Sequence, residues 1–177
     1  TSTIVLNSTI NTTNAGTVDL NADGTGAGAG DLTIANGSDI TSDGAVNLTG
    51  ANGISTGGNV TTTGDNVDYN SATTLTTNIA VDSDGGNITF ASTVDGDGVA
   101  SRNLTLDGGA AGNIDFQGNV GDTTRLGAIS ITDANDVTAL AITAASLAQA
   151  DGSGTSTFNG AIDTDAAAGV NILTSTI

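Results

Sequence analysis

Any catalytic chemistry in this chain would have to come from aspartate, because the sequence contains no His, Cys, Lys or Glu. Serine, cysteine and zinc mechanisms of the usual kinds are therefore excluded. Two closely spaced pairs remain, Asp82/Asp84 and Asp95/Asp97, and paired carboxylates can hydrolyse sugars. Acidic turn residues between strands show the same spacing, and we favour that interpretation. We assign no catalytic, cofactor-binding or metal-binding residue.

Calcium is the alternative for the same aspartates. The segments 82–87 and 95–98 resemble the first half of calcium loops that use oxygen ligands. The twelfth loop positions, Thr93 and Leu106, are not acidic. The segment 26–32 resembles the glycine-rich calcium nonapeptide, with its Asp one place out of register. We expect plain turns here and no cofactor, with weak Ca²⁺ binding as an alternative.

Threonine-rich runs suggest a second alternative, an ice-binding surface. The run from Thr61 to Thr63 is an example. A flat ice-binding face needs Thr-x-Thr at the same place on successive structural repeats. The polar positions of this chain are mixed Asn, Asp, Thr and Ser, so we do not favour this function.

Charge excludes further classes of partner. The chain carries 19 acidic residues, all Asp, against Arg102 and Arg125, for a net charge of -17. Binding to nucleic acid requires basic residues that neutralise phosphates, so we expect none. Anionic membrane surfaces are disfavoured for the same reason, and no apolar run is long enough to insert into a bilayer.

The elements that would carry these residues are indicated by hydrophobic residues 21 positions apart. Three pairs or series follow this spacing: Leu48/Tyr69/Phe90, Ile54/Leu75 and Val60/Val81. Several belong to short alternating segments typical of strands. Short strands that recur every 20 to 30 residues are typical of a solenoid, in which stacked coils share one core. We predict that the side chains of this ladder point inward.

A second series supports the first. Each Phe is followed four positions later by an aliphatic residue and 12 to 14 positions later by a short strand, and the pairs are Phe90/Val94, Phe116/Val120 and Phe158/Ile162. Leu6 and Ile10 fit the same template. The 42-residue step from Phe116 to Phe158 is consistent with two coils. The sequence does not fix how the two series share faces between residues 20 and 90.

We expect three faces per coil, each with a strand whose middle residue points to water. Gly-Asn pairs precede aliphatic residues at four places, and we expect corners there with positive φ: Gly58-Asn59, Gly86-Asn87, Gly112-Asn113 and Gly118-Asn119. The absence of Glu, Lys and Met disfavours helices. The alanine-rich segment 136–150 could form a helical turn, but we favour strand.

Several stretches carry a family resemblance, notably Asp31–Ile40, Ala45–Gly50 and Gly86–Gly96. They resemble filamentous-haemagglutinin-like exoproteins, very large Gram-negative adhesins delivered by two-partner secretion or as autotransporter passengers. The resemblance covers most of residues 30 to 177. It implies a right-handed parallel β-helix and a secreted shaft. It transfers no functional residues.

The sequence therefore predicts an all-β fold, a parallel β-solenoid of seven to eight coils of roughly 21 to 26 residues, with residues 1–177 as a single segment of a longer chain. We expect a non-enzymatic structural shaft at the bacterial cell surface or outside the cell. A carbohydrate-active β-helix enzyme is the alternative. Residues 1–4 and 174–177 both read Thr-Ser-Thr-Ile, as in a tandem array. Both ends should stack head to tail on further coils of the same protein or of another copy. The host or matrix ligand is not indicated.

Overall fold

The computed structural model describes residues 3–23, 30–99 and 101–175, and it is an all-β parallel solenoid. In this part of the chain 21 short strands and no helix occur. The chain passes in turn through three sheets, which we call the first, second and third faces. All pairings between strands are parallel, as the sequence predicts.

The first face begins with a five-stranded sheet. Its strands are β1 (Ile4–Leu6), β4 (Asp31–Ile34), β7 (Gly53–Thr56), β10 (Thr73–Leu75) and β13 (Val94–Gly96). Beyond β13 this face continues through a single bridge at Val120 to the first half of a longer strand, described next.

The second face is the longest sheet. Its strands are β2 (Ile10–Asn11), β5 (Ile40–Thr41), β8 (Val60–Thr61), β11 (Ile79–Asp82), β14 (Leu104–Asp107), β16 (Leu126–Ile131), β18 (Ile142–Gln149) and β21 (Val170–Ile172). The eight-residue β18 spans two faces, because its first half pairs with β20 (Ile162–Thr164) and its second half with β21. The alanine-rich segment is therefore strand, as expected.

The third face is a seven-stranded sheet. Its strands are β3 (Val18–Asn21), β6 (Val46–Thr49), β9 (Val67–Tyr69), β12 (Ile88–Phe90), β15 (Ile114–Phe116), β17 (Val137–Ala139) and β19 (Ser156–Phe158).

The strand register confirms most of the predicted spacing. Leu48 pairs with Tyr69 and Tyr69 with Phe90 on the third face, and Val60 pairs with Val81 on the second. The same column begins with Leu20, which fixes the face assignment that the sequence left open. Phe116 reaches Phe158 through Ala139, so the 42-residue step is two coils.

Two predicted alignments are wrong. Ile54 pairs with Thr73, and Leu75 pairs with Thr56, so the coil between these strands is two residues shorter than 21. The inward positions Thr56 and Thr73 are polar and therefore invisible to a hydrophobic pattern. Leu6 lies on the first face, whereas Phe90 lies on the third. The predicted equivalence between Leu6 and the phenylalanines is therefore wrong by one face.

Coil length varies more than predicted. On the third face Val18 pairs with Val46, a step of 28 residues, and Val137 pairs with Ser156, a step of 19. The chain makes about six turns from β3 to β19, with partial coils outside them, so the count is slightly lower than seven to eight. Longer corners account for the difference. The right-handed winding stays a prediction. Residues 1, 2, 176 and 177, half of the repeated tetrapeptides, lie outside the described residues, so the tandem array also stays a prediction.

The inward side chains form one continuous apolar core along the axis. Leu48, Tyr69, Phe90 and Phe116 are fully buried, and the last three stack their rings at centroid distances of 4.7 and 5.2 Å. Phe158 packs against this core but is only partly buried, because no coil covers it within the described chain. Middle residues such as Asp115 are more exposed than their neighbours, so the predicted alternation is confirmed.

The Gly-Asn pairs do form corners, but the predicted positive φ is wrong. None of the four glycines or their asparagines has positive φ, which occurs instead at residues such as Gly64, Gly85 and Gly109. Glycine is needed in the pairs for close approach between coils. A Cβ at Gly112 would collide with the carbonyl oxygen of Gly86 in the neighbouring coil.

Candidate functional site

The first candidate pair, Asp82 and Asp84, lies in a turn at the corner between the second and third faces. Asp82 Oδ1 accepts a hydrogen bond from the backbone N–H of Asp84 at 3.0 Å, and Asp84 has a φ of 48°. Ser83 between them points into the core and donates to the carbonyl of Gly86. This geometry is that of a turn closed by its own side chain.

The two members of the second pair, Asp95 and Asp97, have different hydrogen-bond partners. Asp95 Oδ1 accepts the backbone N–H groups of Thr123 and Thr124 at 2.9 and 3.0 Å. Asp97 instead holds Arg102. The two carboxylates therefore bind different partners and do not converge on a common reacting atom.

The segments that resemble calcium loops do not gather ligands in the part of the chain that the structure covers. Among residues 3–23, 30–99 and 101–175, no three acidic side chains lie close enough to hold a metal ion. Most of the glycine-rich segment 26–32 lies outside this part. The Thr61–Thr63 run does not continue as a threonine face on successive coils, because the next register partner of Thr61 is Asp82.

Both arginines are tied to aspartates. Arg102 Nε and Nη2 donate to the two carboxylate oxygens of Asp97 at 2.9 and 2.6 Å, which raises the pKa of Arg102. Arg125 Nη2 donates to Asp163 Oδ2 at 2.6 Å, and its Nη1 donates to the carbonyl of Ala144 at 2.7 Å. Arg125 thus connects three successive coils. Neither cation is left for an anionic ligand.

A ladder of amide side chains lines the corner before the third face, and two of the four Gly-Asn pairs, Gly86-Asn87 and Gly112-Asn113, belong to it. The backbone N–H of Asn87 donates to Asn66 Oδ1, that of Asn113 to Asn87 Oδ1, and that of Asp136 to Asn113 Oδ1, at 2.9 to 3.1 Å. Each side chain therefore satisfies a backbone donor of the next coil. Sequence reasoning identified the pairs but missed this role.

Buried or partly buried hydroxyls line the inside of the corner between the second and third faces. The column consists of Thr12, Ser42, Thr62 and Ser83, each donating to a corner carbonyl. Outside the same corner, Asp43 accepts the Ala15 N–H and the Thr63 hydroxyl, each at 2.8 Å. These hydrogen bonds lower the pKa of Asp43. The polar groups of this corner hold coils together.

The first face carries a surface groove that could not be located from the sequence. Its volume is about 260 Å³. Gly53 and Ala72 contribute little side chain, which makes the surface concave, and the hydroxyl residues Thr33, Ser55 and Thr74 line it. These three are register partners on β4, β7 and β10. Detecting them requires knowing which strands stack.

No helix in the described ranges is long and apolar enough to cross a membrane. Comparison of the chain with protein-family models, with curated proteins and with solved structures gives no match in any of the three.

Proposed function

We propose that this chain is a non-enzymatic shaft segment of a giant secreted adhesin or cell-surface filament, of the filamentous-haemagglutinin-like type. Its role is to provide length and stiffness outside the cell. The observation that carries this proposal is the single apolar core, which runs through all the stacked coils without a break.

The distribution of charge supports a structural role over an enzymatic one. In the two aspartate pairs, Asp82 accepts a hydrogen bond within its own turn, Asp95 accepts one from an adjacent loop, and Asp97 accepts one from an arginine. Turnover of a polysaccharide by two carboxylates needs both to face one glycosidic bond. The carboxylates of this protein are spread over the surface, which favours solubility of a long rod.

The terminal coils support stacking on further coils. Inward residues of the first coil, Ile4, Leu6 and Ile10, are only partly buried, as are Phe158, Ile162 and Ile172 at the other end. Val170 is 47% exposed although its register partner Leu147 is buried. A further coil, from the same polypeptide or from another copy, would cover these side chains and pair the free strand edges.

Analytical ultracentrifugation of the 177-residue chain tests this proposal. At physiological salt, which screens the net charge, the sedimentation coefficient should rise with protein concentration as copies stack head to tail. Val170→Asp should suppress this rise because it places a charge in the terminal contact. Val99→Asp is the matched control, because Val99 is 81% exposed on a lateral loop, and it should behave like the unaltered chain.

Circular dichroism should show that both variants keep the β fold. A compact monomer at high concentration would contradict the shaft proposal, and so would equal suppression by the two substitutions.

A further inference from the structure

The groove on the first face presents a column of hydroxyl groups to solvent. Thr33, Ser55 and Thr74 stand one above the other on adjacent strands, and parallel strands are spaced by about 4.8 Å. The three hydroxyls therefore form a straight column along the axis of the solenoid. Asp31 and Asn52 project beside it.

The polar groups of the groove have no internal partners. The side chains of Thr33, Ser55, Thr74, Asp31 and Asn52 make no hydrogen bond within the described chain. This sets them apart from the hydroxyls and amides at the corners, which bond neighbouring coils. A hydroxyl both donates and accepts, so the column offers both functions at regular intervals.

The register partners at the two ends of the column lengthen the surface that a ligand could contact. In the register of the first face, Val5 precedes Thr33 and is 53% exposed, and Asp95 follows Thr74. Four strand spacings separate Val5 from Asp95, or about 19 Å. A linear ligand lying along the axis would meet an apolar contact at one end, hydroxyls in the middle and a carboxylate at the other.

The surrounding charge selects the class of ligand. An anionic ligand would face Asp31 and Asp95, and both arginines are already engaged in ion pairs. A metal ion would lack a set of three acidic ligands within the described residues. A neutral polyhydroxylated chain meets neither obstacle, and its hydroxyls can donate charge-assisted hydrogen bonds to the carboxylates.

We propose that the first face binds a linear neutral oligosaccharide along the axis of the solenoid. Thr33, Ser55 and Thr74 exchange hydrogen bonds with successive sugar hydroxyls, and Asp31 accepts one more. Binding on this lateral face goes beyond the shaft role and does not depend on stacking at the ends. The groove is open to solvent, so binding is weak, with a Kd on the order of 1 mM for one groove.

Saturation-transfer NMR and titration calorimetry on the full chain test this site. The probes are three linear neutral hexasaccharides, cellohexaose, maltohexaose and hexa-N-acetylchitohexaose, with hexagalacturonate as the anionic comparison. At least one neutral probe should bind, and hexagalacturonate should not.

The double variant Thr33→Val with Thr74→Val removes two hydroxyls and keeps the β-branched shape that suits a strand. It should weaken binding about tenfold, which corresponds to two modest hydrogen bonds. The matched control is Thr138→Val with Thr157→Val, because these outward threonines are register partners on the third face. The control should bind like the unaltered chain, and circular dichroism should show both variants folded.

Failure of all three neutral probes to bind would overturn the proposal. Equal binding of hexagalacturonate would overturn the assignment of a neutral ligand, and equal losses in the two double variants would overturn the location. These outcomes are read from binding, whereas the shaft proposal is read from sedimentation, so the two can fail separately.

Discussion

At the scale of a single residue, the ring of Tyr69 stabilises the core, whereas its hydroxyl group destabilises it. Its ring is fully buried and stacks on Phe90 with an interplanar angle of 16°. Its hydroxyl is buried without a hydrogen-bond partner in the described structure. Stacking stabilises the core, whereas an unpaired buried hydroxyl costs about 1 to 3 kcal/mol.

We therefore predict that Tyr69→Phe stabilises the protein by about 1 kcal/mol at neutral pH, because it keeps the ring and removes the unpaired hydroxyl. Urea unfolding followed by circular dichroism measures the change. A loss of stability would show that the hydroxyl has a partner inside the solenoid.

The same substitution has a defined pH dependence. Burial raises the pKa of Tyr69 well above its ordinary value near 10. The unfolded chain releases this proton first, so the contribution of Tyr69 to stability is complete below about pH 10 and is lost as the pH rises beyond it. The advantage of Tyr69→Phe should consequently grow between pH 9 and pH 11, in the same unfolding experiment.

Which residues could be predicted from sequence depended on side-chain type. The burial of Leu48, Tyr69 and Phe90 followed from their spacing, because large apolar side chains recurring at one interval are rare outside a core. The alignment of Ile54 with Leu75 failed because the inward column passes through Thr73 and Thr56, whose hydroxyls are satisfied by nearby carbonyls. A polar residue inside the solenoid leaves no hydrophobic signal.

At the scale of the element, hydrogen bonds at the corners align one coil with the next, as the pairing of the strands does. The amide ladder joins the corners before β9, β12 and β15 to the next coil, through side-chain oxygens and backbone N–H groups. A backbone donor left without its acceptor at a half-buried corner loses a hydrogen bond that the strands do not replace.

Asn113→Ala should therefore destabilise the protein by about 1 kcal/mol, because Asn113 Oδ1 accepts from both Asp136 N and Asn135 Nδ2. Asn119→Ala provides a matched control. Asn119 follows a glycine and precedes an aliphatic residue in the same way, but its side chain makes no hydrogen bond in the described structure. Its substitution should cost less than about 0.5 kcal/mol. Similar midpoint shifts of the two variants in thermal unfolding would contradict a role for the ladder.

The corners also show the limit of sequence reasoning at this scale. Gly-Asn pairs correctly marked where strands begin, but the expected reason, positive φ, was wrong. The glycines are required because another coil passes within contact distance, as at Gly112 and Gly86. Contacts between coils depend on the register, which one sequence determines only where apolar residues are regularly spaced. The groove on the first face could not be predicted either, because its hydroxyl residues are brought together by the register of the strands.

At the scale of the whole molecule, the composition leaves very few points of attack for a protease that cleaves after basic residues. The chain contains no Lys, and its two arginines are Arg102 and Arg125. Both are held in ion pairs, and Leu126, which follows Arg125, is paired within the second face. Cleavage at either site requires local opening of the structure.

We predict that the folded chain stays intact in trypsin under conditions that digest the urea-unfolded chain. Asp97→Asn should open the site at Arg102 selectively, because it removes the charged partner of that side chain, while Arg125 stays protected. Mass spectrometry of the fragments over time gives the result. Rapid cleavage of the unaltered chain, or cleavage of Asp97→Asn at Arg125 first, would contradict this account.

The paired side chains of Asp97 and Arg102 also close the base of a loop that leaves the coil after β13 and returns to it before β14. Strand register on either side is set by pairing with neighbouring coils, so the length of the loop is independent of the geometry of the rod. The entropy cost of a longer loop with fixed ends grows only slowly with its length. The site therefore suits the grafting of a foreign peptide, which the solenoid would hold at one fixed height as a rigid carrier of an epitope.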